Sequence, residues 1–265
     1  MRWLPALLLL AACEVPLDPI EPSDLVYSLS GYLDASADTQ WVRVEPFDRT
    51  AALDPGLIDA TVSLEGAGLE VELEQEVRAF VTGPAHLFWT TAGVDPGREY
   101  RLRARRSDGA EATAAIEIPD TTGVDVQVAG IDRFPPSCPI VASVQGAEDL
   151  ADVRADYFLL EGDRVVRRSV SYFPFIGDRT DGSLQVSLYP GTDLRLVAPQ
   201  GTDTSVIVVA ITNAGWPDVA GLSFEDLLQF QAPGLDRAVG YVGGVVTRRF
   251  PFRADRRCTD PRRDG

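Results

Sequence analysis

The feature that most constrains this chain is a two-residue apolar period that recurs in short runs. At Leu25, Tyr27 and Leu29, and again at Ala60, Val62 and Leu64, apolar side chains alternate with polar or small ones. Successive side chains of a strand point to opposite faces, so each run can bury one face and leave the other wet. Similar runs cover 41–47, 69–73, 86–90, 100–105 and 112–118. Pro and Gly, 19 and 23 of the 265 residues, fall largely between such runs and turn the chain. About seven or eight short strands between 25 and 120 fit a β-sandwich.

One turn sharpens this reading. Val94-Asp95-Pro96-Gly97-Arg98-Glu99-Tyr100, continued by Arg101-Leu102, resembles the Pro-Gly-x-x-Tyr-x-Leu corner of fibronectin type III and related immunoglobulin-like domains. The resemblance implies that the Tyr100 hydroxyl reaches back to upstream backbone and closes a corner between two sheets. No cysteine pair lies in this half, which disfavours an antibody-like domain. Two charge combs decorate it: Glu70, Glu72, Glu74 and Glu76, and Arg101, Arg103 and Arg105. If their strands are neighbours, the combs pair across the sheet at roughly 0.2–1 kcal/mol per contact. The glutamates are spaced about 7 Å apart along a strand and do not converge as calcium ligands must, so no metal site is expected.

From 121 onward a second β-rich domain is expected to run to 258. Its candidate strands are 124–131, 139–145, 155–160, 165–172, 183–189, Ser205–Thr212 and 238–248. The unbroken apolar run Val206-Ile207-Val208-Val209-Ala210-Ile211 should be a central strand buried on both faces. One short helix is expected at 223–231, capped by Ser223, with Leu222 and Leu227 placed as a hydrophobic staple. The fold class is therefore all-β: an immunoglobulin-like sandwich over 25–120, then a second β-rich domain with one helix, then a basic tail at 259–265.

The chain opens MRWLPALLLLAAC. Ten apolar residues cannot cross a bilayer, which takes about 20 in a helix. Arg2, the apolar run and the small residues after it have the layout of a secretory signal over 1–12. Leu10-Ala11-Ala12-Cys13 resembles the lipobox of bacterial lipoproteins, which implies cleavage before Cys13 and acylation of its thiol. Several acyl chains, at about 0.8 kcal/mol per buried CH₂, make a lasting anchor. Glu14 after the cysteine favours delivery to the outer membrane, facing the periplasm or the cell surface. The acids and prolines of 13–24 read as an extended tether. In an oxidising compartment the two remaining cysteines, Cys138 and Cys258, are expected to pair. A closed loop of about 120 residues is worth on the order of 4–5 kcal/mol in the chain-entropy model.

Composition excludes some chemistry. The formal charge is −16, and arginine supplies every basic side chain, because the chain has no lysine. Lysine Schiff-base chemistry and a P-loop lysine are thereby removed. The basic end from Arg237 onward is short and lacks interleaved aromatics, so no nucleic-acid partner is expected. His86 is the only histidine, set among apolar residues on a strand, which suits a structural role. With no G-x-S-x-G, H-E-x-x-H or cysteine–histidine cluster, a non-enzymatic protein without metal or cofactor is expected.

The order of these features (lipobox, Cys13-Glu14-Val15-Pro16, Pro-Gly-x-x-Tyr corner, Ala114-Ala115-Ile116-Glu117-Ile118-Pro119 and late Val239-Gly240-Tyr241-Val242-Gly243-Gly244) resembles two-domain envelope lipoproteins abundant in Bacteroidota and their relatives, known as a domain of unknown function. The resemblance implies an anchored protein that binds or supports a partner, with a TonB-dependent outer-membrane transporter as one such partner. The alternative is capture of a carbohydrate or peptide, with Trp41, Trp89 and Trp216 as stacking platforms. The resemblance brings no catalytic residues with it.

Overall fold

The computed structural model describes residues 24–47, 56–81, 83–129, 140–161, 163–172, 179–180, 182–188, 205–213 and 230–252. Among them the regular structure is all strand. Cys13, Cys138, Cys258, Trp216, the signal, almost all of the tether, the tail and 223–229 of the expected helix lie outside the described residues. Of that helix, Phe230 and Gln231 are described, and Gln231 forms an isolated parallel bridge with Gly240.

The first half is an immunoglobulin-like sandwich. One layer carries β1 (Tyr27–Asp34), β2 (Gln40–Pro46), β6 (Gly83–Thr90) and β5 (Glu74–Phe80), side by side in that order. The facing layer runs β8 (Glu111–Glu117), β7 (Glu99–Arg105), β3 (Thr61–Gly66) and β4 (Leu69–Glu72). This is the division of strands that immunoglobulin-like domains use. The alternating residues meet between the layers: Leu29, Leu33, Val44, Val62, Leu64, Leu102 and Ala114 are fully buried in one core. At the expected corner the Tyr100 hydroxyl accepts the Asp95 N–H at 2.8 Å, and Gly97 takes a positive φ of 68°.

The glutamate comb does not meet the arginine comb. Between β4 and β5 the chain changes layers at Leu73, so Glu70 and Glu72 lie in one sheet and Glu74 and Glu76 in the other. Strand β3 also separates β4 from β7. Arg103 instead lies between Glu65 and Glu111, at 3.5 and 3.4 Å, and Glu76 pairs with Arg78 at 2.7 Å. Adjacent glutamates in sequence gave no signal of the layer change, which the burial of Leu73 drives.

The second half forms a second pair of layers. A four-stranded sheet contains β9 (Asp125–Ala129), β10 (Ile140–Gln145), β13 (Arg179–Thr180) and β14 (Ser183–Leu188), and it faces β11 (Asp149–Glu161), β12 (Arg164–Ser171) and β15 (Ser205–Thr212) across a separate core. A two-residue strand, β16 (Leu235–Asp236), pairs with β8. The last strand, β17 (Ala238–Phe252), joins the halves. It runs parallel to β1 from Ala238 to Val245 and antiparallel to β15 from Val246 to Phe252. One eight-stranded sheet results, in the order β12-β11-β15-β17-β1-β2-β6-β5. Ala238, Val242 and Val246 enter the first core, while Phe250 and Phe252 enter the second. These five positions share one face of β17, so both cores lie on the same side of the long sheet. The last strand belongs to both.

Close approach is built into the shared strand. A Cβ at Gly244 would meet the backbone of Glu117 and of Ile118, whose Cα would lie 2.8 Å away. A Cβ at Gly240 would meet the Leu29 carbonyl, at a φ of +99° that disfavours side chains in any case. At the end where β1 begins, His86 is buried and clamps a loop: its Nδ1 lies 2.6 Å from Glu45, its Nε2 2.8 Å from the Gly56 carbonyl, and Arg43 donates to Glu45 at 2.8 Å. The Tyr27 hydroxyl donates to the Asp59 carbonyl beside it.

Two outcomes follow from this packing. Gly244→Ala should separate the sheets at their junction and cost about 1–3 kcal/mol, read as a fall in thermal midpoint of several degrees. Burial, with the Asp59 charge beside it, pushes the Tyr27 phenol up to about 12 from its ordinary 10.0. The folded chain then keeps a proton that the unfolded chain sheds, so this contribution is complete below about pH 10 and is lost as pH rises through about 12. Alkaline difference absorbance should show a tyrosine ionising near pH 12 whose contribution is lost in Tyr27→Phe.

Candidate ligand-binding face

The side of the long sheet away from both cores carries an aromatic row. Cross-strand register aligns Tyr32 of β1 with Trp41 of β2, Trp41 with Trp89 of β6, and Trp89 with Glu74 of β5. Neighbouring strands lie about 4.8 Å apart, so the three residues stand side by side on one face. The Trp41 and Trp89 ring centroids are 5.7 Å apart with planes tilted by 31°. The Arg78 guanidinium carbon lies 4.3 Å from the Trp41 centroid, a cation–π contact that holds the ring from one side. Both tryptophans are half-buried, and Tyr32 is 51% exposed. Two of the three tryptophans expected to offer stacking are thus neighbours on one face. Sequence reading missed Tyr32, whose place in the row depends on register with a strand that follows it.

The row runs into an open groove of about 890 Å³ where β17 passes from one sandwich to the other. Tyr32 and Asp34 of β1, Tyr241, Thr247 and Arg249 of β17, and Asp152 and Arg154 of β11 line it. Val208 and Ala210 of β15 lie among them. These two residues correct one expectation for the apolar run of β15. Ile207, Val209 and Ile211 do face the second core, and Val208 on the other face is buried as expected, but Val206 and Ala210 are only half-buried, and Val208 and Ala210 line the groove rather than meet a second packed layer.

The groove wall is held by hydrogen bonds. The Asp34 carboxylate accepts the Thr247 N–H at 3.0 Å, the Thr247 hydroxyl at 2.6 Å and the Ser36 N–H at 2.9 Å. Buried Gln40 closes the adjoining turn, accepting the Asp34 N–H at 2.8 Å and donating to the Asp34 carbonyl at 2.9 Å. Burial, with the Tyr32 phenol nearby, pushes the Tyr241 hydroxyl above its ordinary value, so it remains a neutral donor and acceptor.

On the β11 side, Asp156 accepts from Arg167 at 2.8 Å and from Ser169 at 2.6 Å. Burial opposes its charge, but the bonds from Ser169 and Arg167 and the charge of Arg154 hold its carboxyl below the usual range. The Arg154 Nε is 3.4 Å from Asp156, yet it is buried with no hydrogen-bond partner. Register places Arg154, Val208 and Arg249 in one row across β11, β15 and β17. No motif announced this cluster, because its residues come from strands up to about 200 positions apart in the chain. The one local signal was the alternation of Tyr241, Thr247 and Arg249 with Val242 and Val246 in the last strand.

His86 lies away from this face's groove with both ring nitrogens already occupied, by a carboxylate and by a carbonyl. Among the described residues no group of three or more histidine, cysteine or acidic side chains is placed to hold a metal ion.

No protein-family model matches the chain, and no curated protein matches it. Among solved structures it is similar to a pullulanase from Anoxybacillus sp. LM18-11 complexed with maltotriose, at 9% identity and a TM-score of 0.24, over 71% of this chain and 24% of that one. The chain thus spans about a quarter of the pullulanase's length. It is also similar to a titin fragment at 12% identity and a TM-score of 0.22, over 86% of this chain and 96% of the fragment. Both likenesses are too remote to carry structure or function to this chain.

Proposed function

We propose that this chain is a non-catalytic envelope lipoprotein, anchored through Cys13 in the outer membrane, that captures a saccharide on the outer face of its long sheet. The observation that carries the reading is the row Tyr32–Trp41–Trp89 leading into the seam groove. Aromatic faces laid flat on a sheet suit sugar rings, which present apolar C–H faces and a polar rim. A groove of this size lies in the range of small-ligand sites.

A TonB-dependent transporter in the same membrane is the partner that would receive a captured ligand.

Two measurements test this. The mature chain, with Cys13→Ser to keep it soluble, should bind a subset of an oligosaccharide array. Tyr32→Ala and Trp89→Ala should each weaken that binding about three- to ten-fold without lowering the thermal midpoint in proportion. An array with no binder would overturn capture. Separately, Cys13→Ser in the full-length chain should move the protein from the membrane to the soluble envelope fraction, and its retention in the membrane would overturn the anchor.

A further inference from the structure

We infer that Arg154 and Arg249 form a carboxylate subsite in the seam groove, so that the captured saccharide is an acidic one, such as a uronic-acid or sialic-acid oligosaccharide. This rests on the capture reading above and adds the ligand's charge to it.

The charge pattern is the first argument. In a chain of net charge −16, several described arginines lie close to a carboxylate: Arg43 to Glu45, Arg78 to Glu76, Arg103 to Glu65 and Glu111, Arg106 to Asp108, and both Arg167 and Arg154 to Asp156. In the groove this pairing is incomplete: among the described residues no carboxylate pairs with Arg249, and Arg154 shares Asp156, whose two oxygens already accept from Arg167 and Ser169. The Arg154 Nε, 3.4 Å from Asp156, makes no hydrogen bond, so the protein does not use all the donors of this guanidinium.

Two of the acids that line the groove are held by hydrogen bonds within its wall. Asp34 is committed to Thr247 and Ser36, and Asp152 accepts from Ser171 at 3.1 Å. Asp38 is exposed on the turn at the rim. Arg154 and Arg249 stand two strand spacings apart, about 10 Å between backbones, with only Val208 between them. Long side chains can close that gap over a short apolar one, and a guanidinium fork matches the two oxygens of a carboxylate. Tyr32 lies in both the groove and the aromatic row, so a sugar ring on Tyr32 can direct its carboxylate toward the arginines.

The test is calorimetric titration of the mature Cys13→Ser chain with galacturonate, glucuronate and sialyl oligosaccharides, each beside its neutral methyl ester, with tetraglutamate and inorganic phosphate as further arms. At least one acid should bind about ten-fold or more tighter than its ester, the difference a charge-assisted hydrogen bond provides. Arg154→Gln and Arg249→Gln should each remove most of that acid-over-ester preference while leaving ester binding unchanged. Arg249→Lys should restore only part of the preference. Trp89→Ala should weaken acid and ester alike. Equal affinity for acids and esters would overturn the subsite and leave capture standing. Binding of tetraglutamate or phosphate alone, lost with either arginine, would overturn the saccharide assignment and keep an anion site. Absence of binding in every arm would overturn both.

Discussion

The structure depends on the pairing of β17 with two unrelated neighbours. Its first half closes the immunoglobulin-like layer by running parallel to β1, and its second half closes the other layer by running antiparallel to β15. Parallel neighbours cannot be joined by a tight turn, and here the intervening chain is most of the protein. Each sandwich thus requires residues from the far end of the sequence to complete it. Loop closure of this length is entropically expensive, and the apolar residues that β17 contributes to both cores offset it.

Because the side chains of a strand alternate, one continuous β17 must send its apolar positions to a single face. That geometric fact stacks both cores on one side and leaves a single eight-strand face on the other. It also explains the glycines of the shared strand. Gly240 and Gly244 fall on the core side, where β17 passes so near the Leu29 carbonyl and the end of β8 that no side chain fits. The same strand carries Tyr241, Thr247 and Arg249 on the opposite face, so the element that joins the cores also lines the groove.

Much of the first sandwich was legible in the residues. Alternation located β1, β2, β3, β6, β7 and β8, and Pro96-Gly97 with Tyr100 marked a corner whose hydrogen bond is present. The run Ser205–Thr212 was read with both its ends correct. Alternation could not reveal β5: Glu74 and Glu76 continue the pattern of Glu70 and Glu72 without a break, although the chain has changed layers. Nor could it place β15 against a groove, since an apolar run looks the same whether its second face meets a core or a cleft. Trp41 and Trp89 were singled out as aromatic types, but their adjacency is a matter of register, which no local pattern encodes.

The groove was illegible for a deeper reason. Its chemistry lies in relations between strands: Arg154 and Arg249 become a pair only because β15 separates them by one row, and Thr247 becomes a fixed wall only because Asp34 reaches it from β1. The acidic composition pointed the other way, toward a surface that repels anions. Long-range repulsion between exposed charges fades beyond roughly 8–10 Å at physiological salt, however, whereas a guanidinium in a half-enclosed groove is screened less. An acidic protein can therefore hold a local anion site, and its overall charge then raises the demand on fit, since weak and non-specific anions are turned away before they reach the groove.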